Sequence, residues 1–288
     1  MQNQPILKLF QGRKLVIATM HGKERVIAPL LKKHLGVQTI VPKGFDSDKF
    51  GTFTREIKRI GNQVETARAK LLAALKSENA DLGVSSEGSF GAHPSIPFIQ
   101  SNFELVLLVD KKNGYEIQGH HRTSETNMNG QYVANFEEAL EFAKKIGFPE
   151  HGIILRKSDN CNFEINKNIQ NKEQFIQAVS KELSGAFSKG IFIESDMRAH
   201  KNPTRMKAIE KATEDLIKNI FTLCPKCQAP GFVAIDVEKG VKCSLCKMPT
   251  DLPLNEIYQC SLCGFKEKKL LVQYGTTADP QYCGYCNP

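Results

Sequence analysis

A chain of 288 residues, 41% hydrophobic and 24% charged, has the length for one large domain with a small one and the composition of a soluble globular protein. No apolar run approaches the roughly 18 residues of a membrane span, and the opening MQNQPILKLFQGRK lacks the apolar core and cleavage site of a secretory signal, so a cytoplasmic protein with no membrane partner is expected. The formal charge of +8 falls mostly in residues 1–221, as scattered lysines and KK pairs with no block of five, which is the pattern of a solvated surface.

Residues 14–19 (KLVIAT) form a short β-rich run, and 23–34 carry helical apolar spacing at Val26, Ile27, Leu30 and Leu31. VQTIVP at 37–42 is a second strand. A long helical pattern covers 54–76, with Ile57, Ile60, Val64, Ala67, Leu71, Leu72 and Leu75 along one face, and DLGVSS at 81–86 is the next strand. FELVLLVD (103–110) and GYEIQGHH (114–121) read as a hairpin. A helix over 136–147, a strand over 151–157, a helix over 172–185, a strand over 190–196 and a helix over 203–221 follow, the last with Pro203 near its start. Strand and helix in alternation, with continuous apolar runs, predict an α/β domain over residues 1–221: a mixed or parallel sheet flanked by helices on both faces.

Eight of the nine cysteines lie after Leu223, in four pairs: Cys224 and Cys227, Cys243 and Cys246, Cys260 and Cys263, Cys283 and Cys286. Fifteen residues separate the first two pairs and 19 the last two, gaps that suit four-thiolate zinc sites in which one CxxC knuckle is brought back to another. The expectation is two structural zinc ions in a double zinc ribbon over residues 222–288. Consecutive pairing is the simplest assignment, and joining pair one with three and two with four stays open. With all thiolates ionised and two Zn²⁺ bound, the formal +1 of this segment becomes −3, which argues against a phosphate-gripping module. Lys266, Lys268 and Lys269 form its one local basic patch, and the ninth cysteine, Cys161, reads as a small filler.

Ligands of open α/β sheets meet the carboxyl ends of strands. Four stretches load that edge: Thr19, His21 and Lys23 after the first strand; Glu87 after DLGVSS; Asp196, Arg198, His200 and Arg205 after GIFIES; and Glu65 with Lys70 on the long helix. Each stretch alone could be a helix cap or a surface pair. Together they offer carboxylates for Mg²⁺ and cations for phosphate oxygens.

The stretches MHGKE, FGTFTREIKR, SSEGSFGAHP, GFPEH and ESDMRAHKNPTRM, with the cysteine pairs and the terminal CNP, resemble a bacterial family described as a domain of unknown function. More distantly, residues 1–221 resemble the inosine triphosphate pyrophosphatase and Maf-like superfamily. IATMHGKE is similar to its opening strand, Ser/Thr-x-Asn-x-x-Lys loop and helix; VETARAKLLA to its Glu-Asn-Ala-x-x-Lys-Ala helix; SSEGS to its acidic strand end; GFPEH and NPTRMKA to a later loop and helix start.

That second resemblance implies an inosine triphosphatase-like fold and a Mg²⁺-dependent nucleoside triphosphate pyrophosphatase-like hydrolase. Glu65 and Glu87 would bind the magnesium and Asp196 would serve as further ligand or base. Thr19, Lys23 and Lys70 would hold phosphate, Arg205 would contact the base, and His21, Arg198 and His200 would lie against the substrate. The expected partner is a nucleotide or nucleotide-like molecule, with a homodimer compatible. The alternative is a non-catalytic zinc-ribbon protein that binds nucleic acid or protein.

Overall fold

The computed structural model describes residues 4–51, 57, 61–94, 96–160, 165–185, 190–271 and 275–288. Cys161 and most of the 52–60 stretch lie outside these. The chain divides into two compact units. The larger is built from residues up to Lys112 and from Gln118–Ile217, the smaller from Asn113–Ile117 and Lys218–Pro288.

The larger unit opens with a short helix, α1 (Gln4–Phe10), which the sequence did not announce. Its first sheet has the order β2-β1-β3-β4-β5, with β1 (Lys14–Ala18), β2 (Gln38–Ile40), β3 (Leu82–His93), β4 (Ile96–Asp110) and β5 (Tyr115–Thr123). β1 runs parallel to both β2 and β3, and β3 is antiparallel to β4, so the sheet is mixed. The chain leaves β1 for β2 on one side through α2 (Glu24–Leu35), then crosses to β3 on the other side through α3 (Gln63–Ser77). Right-handed crossovers in opposite directions put these two helices on opposite faces. Carboxyl ends of strands diverge at that point, and the crevice between them is where such sheets bind ligands.

The packing follows the pleat. Val16, Ala18, Leu105, Leu107 and Val109 meet Ala67, Leu71, Ala74 and Leu75 of α3 in one buried cluster. Gly83 makes this approach close, since a Cβ there would stand 2.8 Å from the Val16 carbonyl oxygen and 2.9 Å from Leu71 Cδ1. The long helix expected over 54–76 begins only at Gln63. Gly61 turns the chain with a φ of +74°, and Asn62 caps the helix in a capping box with Glu65.

A second, antiparallel sheet of order β6-β9-β7-β8 is formed by β6 (Gly130–Val133), β7 (Ile153–Arg156), β8 (Asn166–Ile169) and β9 (Ile191–Ser195). α4 (Phe136–Ile146) and α5 (Lys172–Ser184) cover one face through Phe142, Ile146, Phe175 and Val179, with both N-termini capped by asparagine. The chain then passes from β9 into α6 (Pro203–Ile220), whose Ala212 and Leu216 backbone lies so close to β5 that only glycine fits at Gly119.

In the smaller unit, β10 (Val233–Lys239), β12 (Pro253–Gln259) and β13 (Lys266–Leu270) form an antiparallel sheet, while β11 (Lys242–Cys243) pairs with β14 (Thr277–Ala278) in parallel. Among the described residues, no helix is long and apolar enough to cross a membrane.

Candidate functional site

Pairing of β1 with β3 stops at Ala18 opposite Ser85, so the edge of β3 beyond Ser85 is released into the crevice. Two ammonium groups converge there. Lys23, just before α2, donates to the Ser86 carbonyl at 3.0 Å, and Lys70, from α3 on the opposite face, donates to the same oxygen at 2.8 Å. Lys70 also forms an ion pair with Glu87. The Ser86 hydroxyl is buried with no hydrogen-bond partner among the described residues. An orphaned buried polar atom in a native fold asks for a ligand or a water. Thr19 is buried at the end of β1, and its hydroxyl accepts from the His21 backbone N–H at 3.3 Å.

Burial presses on the charges. It pushes the Lys23 ammonium down from an ordinary 10.5 to about 7, and Lys70 and Arg205 add to that; Glu87 and Glu104 oppose it. Glu104, opposite Gly88 on β4, pairs with Arg205 at 2.8 Å, both essentially without solvent contact. A Cβ at residue 88 would stand 2.4 Å from the Glu104 carboxylate, so glycine makes room for that pair.

The segment after β9 meets the crevice from the other sheet. Arg205 Nη1 donates to the Met197 carbonyl, and Asn202 caps α6 by accepting from the Arg205 N–H at 2.9 Å. Asp196 accepts from the backbone N–H and the guanidinium of Arg198, which also reaches the Lys167 carbonyl. His200 packs against Gly22 and stacks on His21, with ring centroids 5.2 Å apart and planes inclined by 16°. His21 Nε2 lies 2.9 Å from the carboxylate of Asp48, in a 3-10 turn at Ser47–Phe50. Burial, aided by His21 and Arg198, pushes His200 down to about 4, so its ring is neutral at neutral pH.

The sequence-predicted residues therefore divide. Thr19, His21, Lys23, Lys70, Glu87 and His200 gather around the carboxyl end of β1 and the adjoining stretch of β3. Arg205 and Asp196 stand beside it as buried parts of the frame, Arg205 held by Glu104 and Met197 and Asp196 by Arg198. Glu65 does something else: exposed at the start of α3, its carboxylate accepts from the Asn62 N–H at 2.9 Å. Asp48 and Glu104 were missed. Asp48 lies in a polar loop with no periodic signal, and Glu104 hides inside an apolar strand, where a charge in FELVLLVD was the clue. His93 ends β3. A separate depression of about 510 Å³ at the amino ends of β1 and β3 is also basic, but Arg13 there is bound to Asp110 and Asp81 and Lys14 to Glu78.

The cysteines assemble into two tetrads, Cys224, Cys227, Cys260 and Cys263, and Cys243, Cys246, Cys283 and Cys286, the sulfurs of each within 4.8 Å of one another. Of the two pairings the spacing leaves open, the tetrads take the interleaved one. β10 starts soon after the first knuckle and β12 ends just before the third, and their antiparallel register sets Val233 opposite Gln259, bringing knuckles one and three together. The β11–β14 pairing does the same for two and four. Sulfur separations of 3.7 Å (Cys224 to Cys263), 3.6 Å (Cys227 to Cys260), 3.9 Å (Cys243 to Cys286) and 3.5 Å (Cys246 to Cys283) match the edge of about 3.8 Å of a tetrahedron with Zn–S bonds of about 2.3 Å. The tetrads could therefore hold zinc, and with all four ligands protein thiolates such sites are structural. Of the nearby basic patch, Lys268 pairs with Glu238, while Lys269 faces Glu267 and lies over the Tyr258 ring.

No curated protein matches this chain. The comparisons carry nothing for the likeness to inosine triphosphate pyrophosphatases. Residues 70–288, well over half of the sequence and including both tetrads, match the profile of a domain of unknown function (DUF6671), and the chain belongs to that family.

Proposed function

We propose that the switch-point crevice takes the phosphate chain of a nucleotide or nucleotide-like molecule and that the protein hydrolyses one of its phosphoanhydride bonds. The observation that carries this reading is the convergence of Lys23 and Lys70, from helices on opposite faces of the sheet, on one strand-end carbonyl beside an orphaned hydroxyl. Without a ligand the Ser86 carbonyl and Glu87 serve as stand-in acceptors for two ammonium groups. Phosphate oxygens are better acceptors for both, and their charge restores full protonation of Lys23. Thr19 and Ser86 supply neutral hydroxyl donors at the same end, and Glu87 keeps Lys70 aimed into the crevice.

Glu65 and Glu87 do not fit a shared Mg²⁺: one is spent on the cap of α3, the other on Lys70. No step is therefore routed through that ion. The test is pyrophosphate and phosphate release from a panel of common, deaminated and modified nucleoside triphosphates, with and without divalent cations. Lys23→Met and Lys70→Met should each raise KM by about tenfold or more, the loss of a charge-assisted hydrogen bond. No release by the wild-type protein from any member of the panel overturns the reading.

A further inference from the structure

We propose that His21, oriented by Asp48, is the general base that activates the attacking water in this crevice. The inference rests on the hydrolase reading above and adds the proton acceptor that reading lacks. His21 occupies the first turn after β1, two residues before Lys23, so it stands at the mouth of the crevice and not in the packed core. Its Nε2 is 2.9 Å from Asp48 Oδ1, and the two side chains remain 17% and 34% exposed, open to a ligand. A carboxylate only accepts, so Nε2 carries the hydrogen and Nδ1 keeps the lone pair.

The surroundings favour this division of labour. The His21 hydrogen bond, chiefly, holds Asp48 below the usual carboxylate range, and Lys167 and Arg198 act in the same direction, so Asp48 is ionised wherever His21 must be oriented. His200 is stacked on His21 as a neutral ring, which packs the imidazole without placing a second positive charge beside it. Of the charged groups nearby, Lys167 from β8 and Arg198 from the segment after β9 act on Asp48, Asp196 and Lys201 act on His200, and Arg25 of α2 lies beside Gly22. In the step itself, the water oxygen bonds to phosphorus while its proton passes to His21 Nδ1. The P–O bond to the departing phosphate breaks with its electron pair on the leaving oxygen, and His21 then returns its proton to solvent.

The experiment uses the full zinc-loaded chain and combines steady-state pyrophosphate release against pH with ¹⁵N NMR of the histidine rings. His21→Gln should lower kcat by about 100-fold or more, the usual loss for a general base, with KM little changed. Asp48→Asn should lower kcat with KM little changed and remove the preference for the Nε2–H tautomer of His21, whereas Asp48→Glu should restore much of both. A structural latch would instead raise KM along with the loss of kcat in these variants, because the crevice itself would be disturbed. Turnover that survives His21→Gln overturns the assignment alone, as does a wild-type His21 with Nδ1 protonated at neutral pH. No turnover in the wild type overturns the hydrolase reading and the base with it.

Discussion

At the scale of single residues the crevice is organised by charges that burial keeps from their ordinary behaviour. Lys23 illustrates the consequence. Its pKa falls from 10.5 to about 7 on folding, so between those pH values the unfolded chain holds a proton there that the folded chain lacks. Stability therefore gains from Lys23 as pH rises from 7 toward 10.5, and below 7 the buried charge is carried at full cost. A polyanion reverses the shift, because it favours the charged ammonium. Binding of a non-hydrolysable triphosphate analogue at pH 8.5 should therefore take up close to one proton per site, read by calorimetry in buffers of different ionisation enthalpy. Lys23→Met should abolish the uptake; an uptake unchanged in that variant would detach Lys23 from the ligand.

At the scale of elements, α3 shows how much of the site was legible in the sequence and where legibility stopped. Its apolar face, its approach to β3 and the position of Lys70 all follow from a 3.6-residue period that any reader of QVETARAKLLAALKS would find. Its start was misplaced because the apolar residues at 57 and 60 continue the period, while Gly61 and Asn62 end it through backbone conformation and a cap, which periodicity does not register. The same cap decides the role of Glu65: at the third helical position it faces back to Asn62 and away from the chemistry. Strand β3 and its partner β4 ran longer than their apolar cores for a related reason, since SEGSFGAH and IPFIQSN pair through the backbone with no hydrophobic alternation to announce it. Two variants separate the carboxylates. Glu65→Gln retains the cap, because glutamine also closes a capping box, and should leave pyrophosphate release within about twofold of wild type. Glu87→Gln frees Lys70 and should raise KM by about tenfold, as the loss of Lys70 itself does. Asn62→Ala should lower stability by about 1 kcal/mol in denaturant unfolding, the usual loss of an N-cap side chain.

At the scale of the whole molecule, the cysteine end is legible in the sequence as to ligands and undecided as to partnership. The four CxxC pairs announce eight sulfurs, but spacing carries no information on which strand will pair with which. Here β10 with β12 and β11 with β14 decide it. A metal held in each tetrad would close a loop that contains half of the other site, so the two tetrads are interleaved along the chain instead of following in series. This arrangement makes a stoichiometric prediction. Replacing Cys243, Cys246, Cys283 and Cys286 together by serine removes one complete tetrad and spares the other, so the purified variant should keep about one zinc per chain by elemental analysis. Two sites in series would each lose half their ligands, and the same variant would keep none. Because each loop encloses part of the other site, the surviving zinc should also pass to a chelator faster than either zinc leaves the wild type; equal rates would mean that the two sites are interleaved in sequence yet energetically independent.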